Sequence, residues 1–213
     1  MVNSAAAVWL NTVFADFDLN LTLLIHSIFY PLNGFFTPFF EFISFLGKAG
    51  IVLILVSALL LLYKKYRKCG SAMLLALLFG VILTNCVFKV LIARARPYAD
   101  TDSVFYQLWQ LVNMNTESDK SFPSGHATAA FAAMIPICIL GKKPVKYTSL
   151  IFSVLMMIAR VYLVVHFPTD VIAGAIVGTI AGVLGVFAAN MLPHKWYELT
   201  FIKRDKEPAH VKH

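Results

Sequence analysis

Three long stretches of this sequence carry no charged side chain, and they constrain the fold more than any other feature. They are Cys69–Phe88, Ser121–Gly141 and Val171–Pro193, and each has about the 20 residues that a helix needs to cross a bilayer core. Two further apolar stretches extend the pattern: Ala49–Tyr63 is shorter, and Tyr147–Val165 contains one charged residue, Arg160. Only 14% of the 213 residues are charged, against about 25% in a soluble domain. Because a soluble chain of this length cannot bury so many apolar helices, the sequence predicts a polytopic membrane protein.

The fold class that follows is all-α, a membrane-embedded bundle of five to six helices. Five helices are expected at about 48–64, 70–93, 122–141, 146–165 and 169–192. Residues 1–47 are harder to interpret, because Asp16 and Asp18 interrupt the apolar pattern and Pro31 and Gly34 break it. We expect an interfacial helix there, followed by a kinked helix that either spans or re-enters the membrane. The chain is thus divided into an N-terminal segment 1–47, a bundle 48–192 and a basic tail 193–213.

The positions of the basic residues indicate how the helices are oriented. A formal charge of +7 could suggest a nucleic-acid partner, but most of the charge lies in short segments between apolar stretches and in the tail. These residues are Lys64, Lys65, Arg67, Lys68, Lys142, Lys143, Lys146, Lys195, Lys203, Arg204, Lys206 and Lys212. Short basic loops mark the cytoplasmic side of a membrane protein. We therefore expect no nucleic-acid partner, a cytoplasmic tail, and an extracytoplasmic position for the long acidic connection Pro97–Ser121.

A small set of ionisable residues lies at the predicted extracytoplasmic ends of the helices. Charged groups at membrane depth are costly and need a reason. The set comprises Lys89, Arg94, Arg96, His126, Arg160, His166 and Asp170. Snorkelling to the head groups would explain any one lysine or arginine, but it explains poorly why two histidines and an aspartate share that face. The grouping indicates a polar site at the outer membrane surface.

The local spacing suggests that this site binds a phosphoryl group. Lys89 and Arg96 are seven residues apart, so they share one face of a helix that the following proline ends. In the third helix, Pro123 suits the first turn with Ser121 as a possible N-cap. The free N–H groups of such a start bind oxyanions, and Gly125 would let a ligand approach the backbone. Cations beside a helix start form a site for the charge that develops during phosphoryl transfer.

An imidazole and a carboxylate stand four residues apart at the start of the last long helix. An aspartate bonded to one ring nitrogen fixes the tautomer and makes the other nitrogen a better nucleophile, and His166 with Asp170 has this spacing. Arg94, two residues from Arg96, is expected to face elsewhere as a head-group anchor. His26 and His194 lie outside the set and are interpreted as structural or interfacial histidines.

Three short motifs cross the predicted bundle in a fixed order. Lys89–Pro97 reads Lys-x6-Arg-Pro, Pro123–His126 reads Pro-Ser-Gly-His, and Arg160–Asp170 reads Arg-x5-His-x3-Asp. Together they resemble the motifs of the type 2 phosphatidic acid phosphatase (PAP2) superfamily. One departure is Ala159, which stands where that family usually has a serine that supports phosphate binding.

The resemblance implies a lipid phosphatase that works without a cofactor or a metal ion. His166 would attack phosphorus and form a phosphohistidine, with Asp170 orienting its ring. His126 would protonate the leaving oxygen and then activate water. The phosphoryl oxygens would be held by Lys89, Arg96, Ser124, Gly125 and Arg160. The expected partners are membrane lipids and a phospholipid or polyprenyl (pyro)phosphate substrate.

Several alternatives stay open at this stage. The same site could transfer the phosphoryl group to another lipid, and the substrate could be undecaprenyl pyrophosphate, phosphatidylglycerophosphate, phosphatidic acid or a lipid A phosphate. A transporter or channel should spread ionisable groups through the membrane depth, whereas here they gather at one face. A non-catalytic lipid-binding protein should have lost a histidine or the aspartate, yet all three are present. Soluble haloperoxidases of the same superfamily lack such spans. The sequence leaves the oligomeric state open.

Overall fold

The computed structural model describes residues 3–31, 33–112 and 114–199. Within these ranges the chain is helical and contains no strand. The α-helices are α1 (Ala5–Val13), α2 (Ala15–Phe29), α3 (Thr37–Gly47), α4 (Ile51–Leu62), α5 (Arg67–Val81), α6 (Lys89–Ile92), α7 (Val104–Leu111), α8 (Gly125–Leu140), α9 (Lys143–Tyr162), α10 (Pro168–Asn190) and α11 (His194–Glu198). A π-helical segment, Ile82–Phe88, joins α5 to α6, and 3₁₀ turns cover Lys48–Gly50 and Pro97–Ala99.

The long apolar helices confirm an all-α membrane bundle. Three segments of the described chain are long and apolar enough to cross a membrane: Arg67–Ala99, Lys143–Tyr162 and Pro168–Asn190. Two bent pairs, α1 with α2 at 62° and α3 with α4 at 55°, raise the number to as many as five if each pair counts as one span. Helix α8 is apolar but shorter, with 16 residues.

The centre of the bundle is α10, which packs against α8 and α5. Small residues make this close approach possible. A Cβ atom on Gly174 would lie 2.6 Å from the Ser124 carbonyl oxygen, and one on Gly178 would lie 2.5 Å from the Thr128 carbonyl oxygen. Close backbone contact of this kind stabilises helix pairs in lipid through van der Waals packing. It also fixes the start of α8 against the first turns of α10.

The helix that carries Lys89 ends earlier than the sequence predicted. Helix α6 stops at Ile92, and Ala93 turns the chain with a left-handed φ of 47°. Arg96 follows in extended backbone, so the prediction that it shares a helical face with Lys89 is wrong, and Pro97 does not end the helix. The physical reason is that the arginines after the turn reach carboxylates on other segments, as described below.

Helix α8 also begins later than expected. Ser124 is its N-cap, and its Oγ accepts a hydrogen bond from the Ala127 N–H at 3.4 Å. The prediction of Ser121 as the N-cap is therefore wrong. Ser121 instead donates its hydroxyl to Asp170 Oδ2 at 2.5 Å, and the Ser124 N–H donates to the Asp170 carbonyl oxygen at 3.0 Å. These bonds hold the segment before α8 against α10 in place of one more helical turn.

Arg67 joins α4 to α11 at the end of the bundle where α4 connects to α5. This buried side chain donates to the carbonyl oxygens of Leu61 at 2.7 Å and Trp196 at 3.2 Å. The α4–α5 connection and α11 therefore lie together at one end. Most of the predicted basic tail, from residue 200 onward, lies outside the described residues.

Candidate active site

Two cavities bring most of the predicted site residues together. The larger, of about 480 Å³, is lined by Lys89, Arg96, Gly125, His126 and His166. Apolar side chains of α4 and α5, including Ile54, Leu77 and Val81, form another part of its wall. A second cavity, of about 230 Å³, is lined by Arg160 and Ser44 and shares His126 and Glu117 with the first. The arrangement joins charged groups to an apolar wall, as a lipid with a charged head would require.

His166 lies in the turn between α9 and α10 and is 2% exposed. Arg96 Nη1 lies 3.0 Å from its Nε2. The same Nη1 lies 3.4 Å from Nδ1. Because a guanidinium can only donate, the shorter contact favours the tautomer with the lone pair on Nε2 and the proton on Nδ1. Burial, followed by the positive charge of Arg96, holds the pKa of the imidazole well below its usual range. His166 is therefore neutral near pH 7, and its Nε2 lone pair accepts from Arg96 at the wall of the larger cavity.

The carboxylate of Asp170 is completely enclosed and bonded on both oxygens. Its Oδ2 accepts the Ser121 hydroxyl at 2.5 Å and the Phe167 N–H at 3.0 Å, and its Oδ1 accepts Arg94 Nη1 at 2.7 Å. His166 Nδ1 lies 3.7 Å from Oδ2, which is longer than a hydrogen bond. The structure thus places the predicted histidine–aspartate pair side by side, with Nδ1 directed at a carboxylate whose position other groups fix.

Lys89, Arg96 and Arg160 are the motif cations that line the two cavities, and we refer to these three as the cavity cations; Lys48 lines both cavities as well. Arg160 Nη1 donates to Ser44 Oγ of α3 at 2.5 Å. Its Nε has no hydrogen-bond partner among the described residues. A buried donor without a partner is costly, so this edge of the guanidinium is suited to an incoming anion. Ala159, where the family's serine was expected, is itself buried.

Two carboxylates of the long connection, Glu117 and Asp119, pair with the cavity cations, and we call them the loop acids. Asp119 forms ion pairs with Lys89 and Arg96, and Glu117 forms one with Arg160. Burial by itself raises the pKa of the Asp119 carboxyl, but the bonds and charges of Lys89 and Arg96 outweigh it and hold the pKa below its usual value. The sequence showed these acids only as part of an outer loop and carried no signal for their contacts.

Arg94 is not the head-group anchor that the sequence suggested. It is 1% exposed and forms ion pairs with Asp18 at 2.8 Å and Asp170 at 2.7 Å, and we call these three residues the buried triad. The prediction was wrong because two carboxylates compensate the charge and so permit its burial. One signal was present: an aspartate within an apolar helix, as at position 18, needs a partner.

The remaining predicted residues fall into place around this centre. Ser124 is buried and its hydroxyl caps α8, whereas a Cβ atom on Gly125 would have only Lys89 Nζ nearby, at 3.8 Å. His26 Nε2 lies 2.8 Å from the Tyr162 carbonyl oxygen, consistent with a structural histidine. His194 is exposed, lines neither of the two cavities, and pairs with Glu198 at 3.3 Å.

Comparison with known proteins identifies the family. The family model described as the PAP2 superfamily matches residues 70–192, a range that contains all three motifs. The chain belongs to the PAP2 superfamily. An undecaprenyl-diphosphatase of Sulfolobus acidocaldarius is 31% identical to it over 156 residues, which cover 72% of each protein. A lipid A 4'-phosphatase of Bacteroides thetaiotaomicron is 28% identical over 186 residues, which cover 84% of this chain and 79% of that one.

A solved structure extends the PAP2 comparison to three dimensions. The crystal structure of a transmembrane PAP2-type phosphatidylglycerolphosphate phosphatase from Bacillus subtilis superposes with a TM-score of 0.66 at 26% identity, over 89% of this chain and 92% of that one. The likeness in three dimensions therefore extends over more of the chain than the family match to residues 70–192. These relatives establish the chain as a membrane lipid phosphatase. It is therefore not the transporter, channel or non-catalytic lipid-binding protein that the sequence left open.

Proposed function

We propose that this enzyme dephosphorylates a lipid phosphate or pyrophosphate at the extracytoplasmic membrane face through a phosphohistidine on His166. The observation that carries the proposal is a neutral, buried imidazole that lines a cavity together with Lys89 and Arg96, with Arg96 in contact with its Nε2. A nucleophile of this kind needs no further base, and cations held in a water-poor site stabilise the charge of phosphoryl transfer. The predicted orientation of the basic loops supports the outward-facing site.

The first step breaks the bond between phosphorus and the lipid oxygen. His166 Nε2 supplies an electron pair to phosphorus, the P–N bond forms, and the leaving oxygen takes a proton from His126. In the second step the neutral His126 removes a proton from water, the hydroxide attacks phosphorus, and the P–N bond breaks to release phosphate and restore His166. His126 suits both steps because it is half-buried and lines both cavities.

The positive charge that this reaction requires is supplied by the cavity cations. They are three fixed positive charges around one cavity system, and the open backbone at Gly125 adds an N–H at the start of α8. The loop acids occupy these cations in the absence of substrate, and the non-bridging phosphoryl oxygens carry the same charge and would replace them. The proposal therefore includes no metal ion.

A polyprenyl pyrophosphate is the substrate class that we favour. The apolar wall formed by Ile54, Leu77 and Val81 fits a hydrocarbon chain beside the charged centre, and one relative is named an undecaprenyl-diphosphatase. The second phosphate needs a further cation. Arg94 is engaged in the buried triad, and Lys48, which lines both cavities, is the cation that we assign to this role. Lys120 lines a recess beside Lys89.

The experiment is phosphate release by protein purified in detergent, assayed on undecaprenyl pyrophosphate, phosphatidylglycerophosphate, phosphatidic acid and lipid A, with and without EDTA. We expect EDTA to leave the rate unchanged and His166→Ala to lower it by at least about a thousandfold at an unchanged melting temperature. Rapid acid-free quenching should trap labelled phosphate on the wild type and not on the variant. A variant that keeps its label or its activity would exclude His166 as the nucleophile.

A further inference from the structure

Arg94 and Asp18 of the buried triad have no part in the proposed chemistry, yet Arg94 contacts Phe167, the residue next to the nucleophile. Arg94 Nη1 donates to Asp170 Oδ1 at 2.7 Å and to Thr169 Oγ1 at 2.7 Å, and Nη2 donates to Asp18 Oδ2 at 2.8 Å. The guanidinium carbon also lies 3.8 Å from the centre of the Phe167 ring. Arg94 therefore contacts three of the four residues that follow His166 in the chain.

The N-terminal helices hold Arg94 in this position. Asp18 of α2 accepts the Thr169 N–H on Oδ1 at 2.8 Å and the Thr169 hydroxyl on Oδ2 at 2.8 Å. Asn11 of α1 accepts Arg94 Nε at 2.7 Å. The two carboxylates, the guanidinium and the Thr169 hydroxyl all have hydrogen-bonding partners, and a buried network satisfied in this way is rigid.

We propose that Arg94, held by Asp18, is a positioning residue that fixes the Asp170 carboxylate and, through it, the ring of His166. The proposal rests on the proposed function, because it assigns His166 as the nucleophile. It gives the N-terminal segment a part in the reaction, since α2 supplies one of the two carboxylates that neutralise Arg94.

The geometry explains why one arginine has this influence. Asp170 Oδ1 is engaged by Arg94 and Oδ2 by Ser121 and the Phe167 N–H, so the carboxylate plane cannot rotate. His166 Nδ1 lies 3.7 Å from Oδ2, and a shift of about 1 Å as the ring becomes positively charged would form the hydrogen bond. A misplacement of similar size, about 1 Å, can cost about a hundredfold in rate.

The test separates positioning from phosphate binding and from stability. We would measure kcat, KM, the Ki for inorganic phosphate and the melting temperature of Arg94→Lys and Asp18→Asn, with the wild type beside them. The control is Asp16→Asn, which removes an exposed carboxylate of the same helix. Both test variants should lose about tenfold to a hundredfold in kcat, with KM and Ki unchanged within about twofold, and the control should match the wild type.

Two results would overturn the proposal. Folded variants with a wild-type kcat would show that the triad serves stability alone. A Ki that rises in step with the loss of kcat would make Arg94 a phosphate ligand. Neither result bears on the proposed function, because the His166→Ala variant tests that function separately.

A double-mutant cycle tests the route through Asp170 and does not depend on Asp18→Asn being well folded. Arg94→Lys should lose about tenfold or more in the wild-type background but less than about twofold beside Asp170→Asn, because its effect passes through that carboxylate. Independent, multiplicative losses in the two backgrounds would contradict a positioning role.

Discussion

The two groups of carboxylates around this site differ most in their access to water. Within the buried triad, Asp18 and Asp170 are 1% and 0% exposed. The side chains of the loop acids Glu117 and Asp119 are 32% and 49% exposed. Both groups neutralise cations close to His166, but only the loop acids border the cavities.

This difference indicates which cations are free to bind a substrate. Breaking a buried ion pair leaves an uncompensated charge and costs about 3–5 kcal/mol, so Arg94 keeps its partners throughout the reaction. The loop acids are partly exposed to water, and a phosphoryl group carries the same charge, so it can replace them on the cavity cations without leaving a buried charge unpaired. The buried triad is a permanent frame, and the loop acids are exchangeable counterions.

The largest expected effect comes from removing a cavity cation. Arg160→Ala should lower kcat/KM by about a hundredfold to a thousandfold and weaken inhibition by inorganic phosphate, because the guanidinium holds the phosphoryl group in both the ground state and the transition state. Steady-state kinetics with phosphate as the inhibitor measure both quantities. An unchanged Ki in folded protein would place Arg160 in the frame with Arg94 and remove the distinction between the two groups.

A smaller effect should separate the two groups in stability. Asp18→Asn removes one of the two carboxylates on Arg94 and should lower the free energy of unfolding by about 2 kcal/mol, since hydrogen bonds to charged groups contribute about 1.5–3 kcal/mol each. Asp119→Asn should cost less than about 1 kcal/mol. Thermal unfolding of both variants in the same detergent gives the comparison. Equal losses would mean that exposure does not distinguish the two groups.

The sequence predicts the cavity cations and the histidines better than it predicts the contacts of the carboxylates. The cavity cations, His126 and His166 lie in short motifs, as does Asp170 of the frame, and the alternation of basic loops with apolar stretches predicts that those motifs share one membrane face. Both signals are local or depend on composition, so they need no knowledge of the tertiary contacts.

The frame depends on contacts that are distant in sequence. Asp18 and Arg94 are 76 residues apart, and nothing in the sequence shows whether Arg94 or Arg96 turns inward. The direction of the chain changes at Ala93, whose left-handed conformation ends α6 and directs Arg94 towards α2. The spacing of Lys89 and Arg96 before Pro97 predicts a longer helix than the one that forms.

The loop acids illustrate the same limit in a different way, and they give the smallest predicted effect. Their connection is polar and irregular, and its sequence does not indicate that it folds back on the cavity cations. If Asp119 competes with substrate for Lys89 and Arg96, Asp119→Asn should lower the Ki for inorganic phosphate by about twofold to fivefold, the equivalent of about 0.4–1 kcal/mol. Asp102→Asn, which removes an exposed carboxylate of the same connection, should leave the Ki unchanged. If Asp119→Asn instead weakens phosphate binding while Asp102→Asn does not, Asp119 orients the cations for the substrate, and the exposed pairs are then part of the frame.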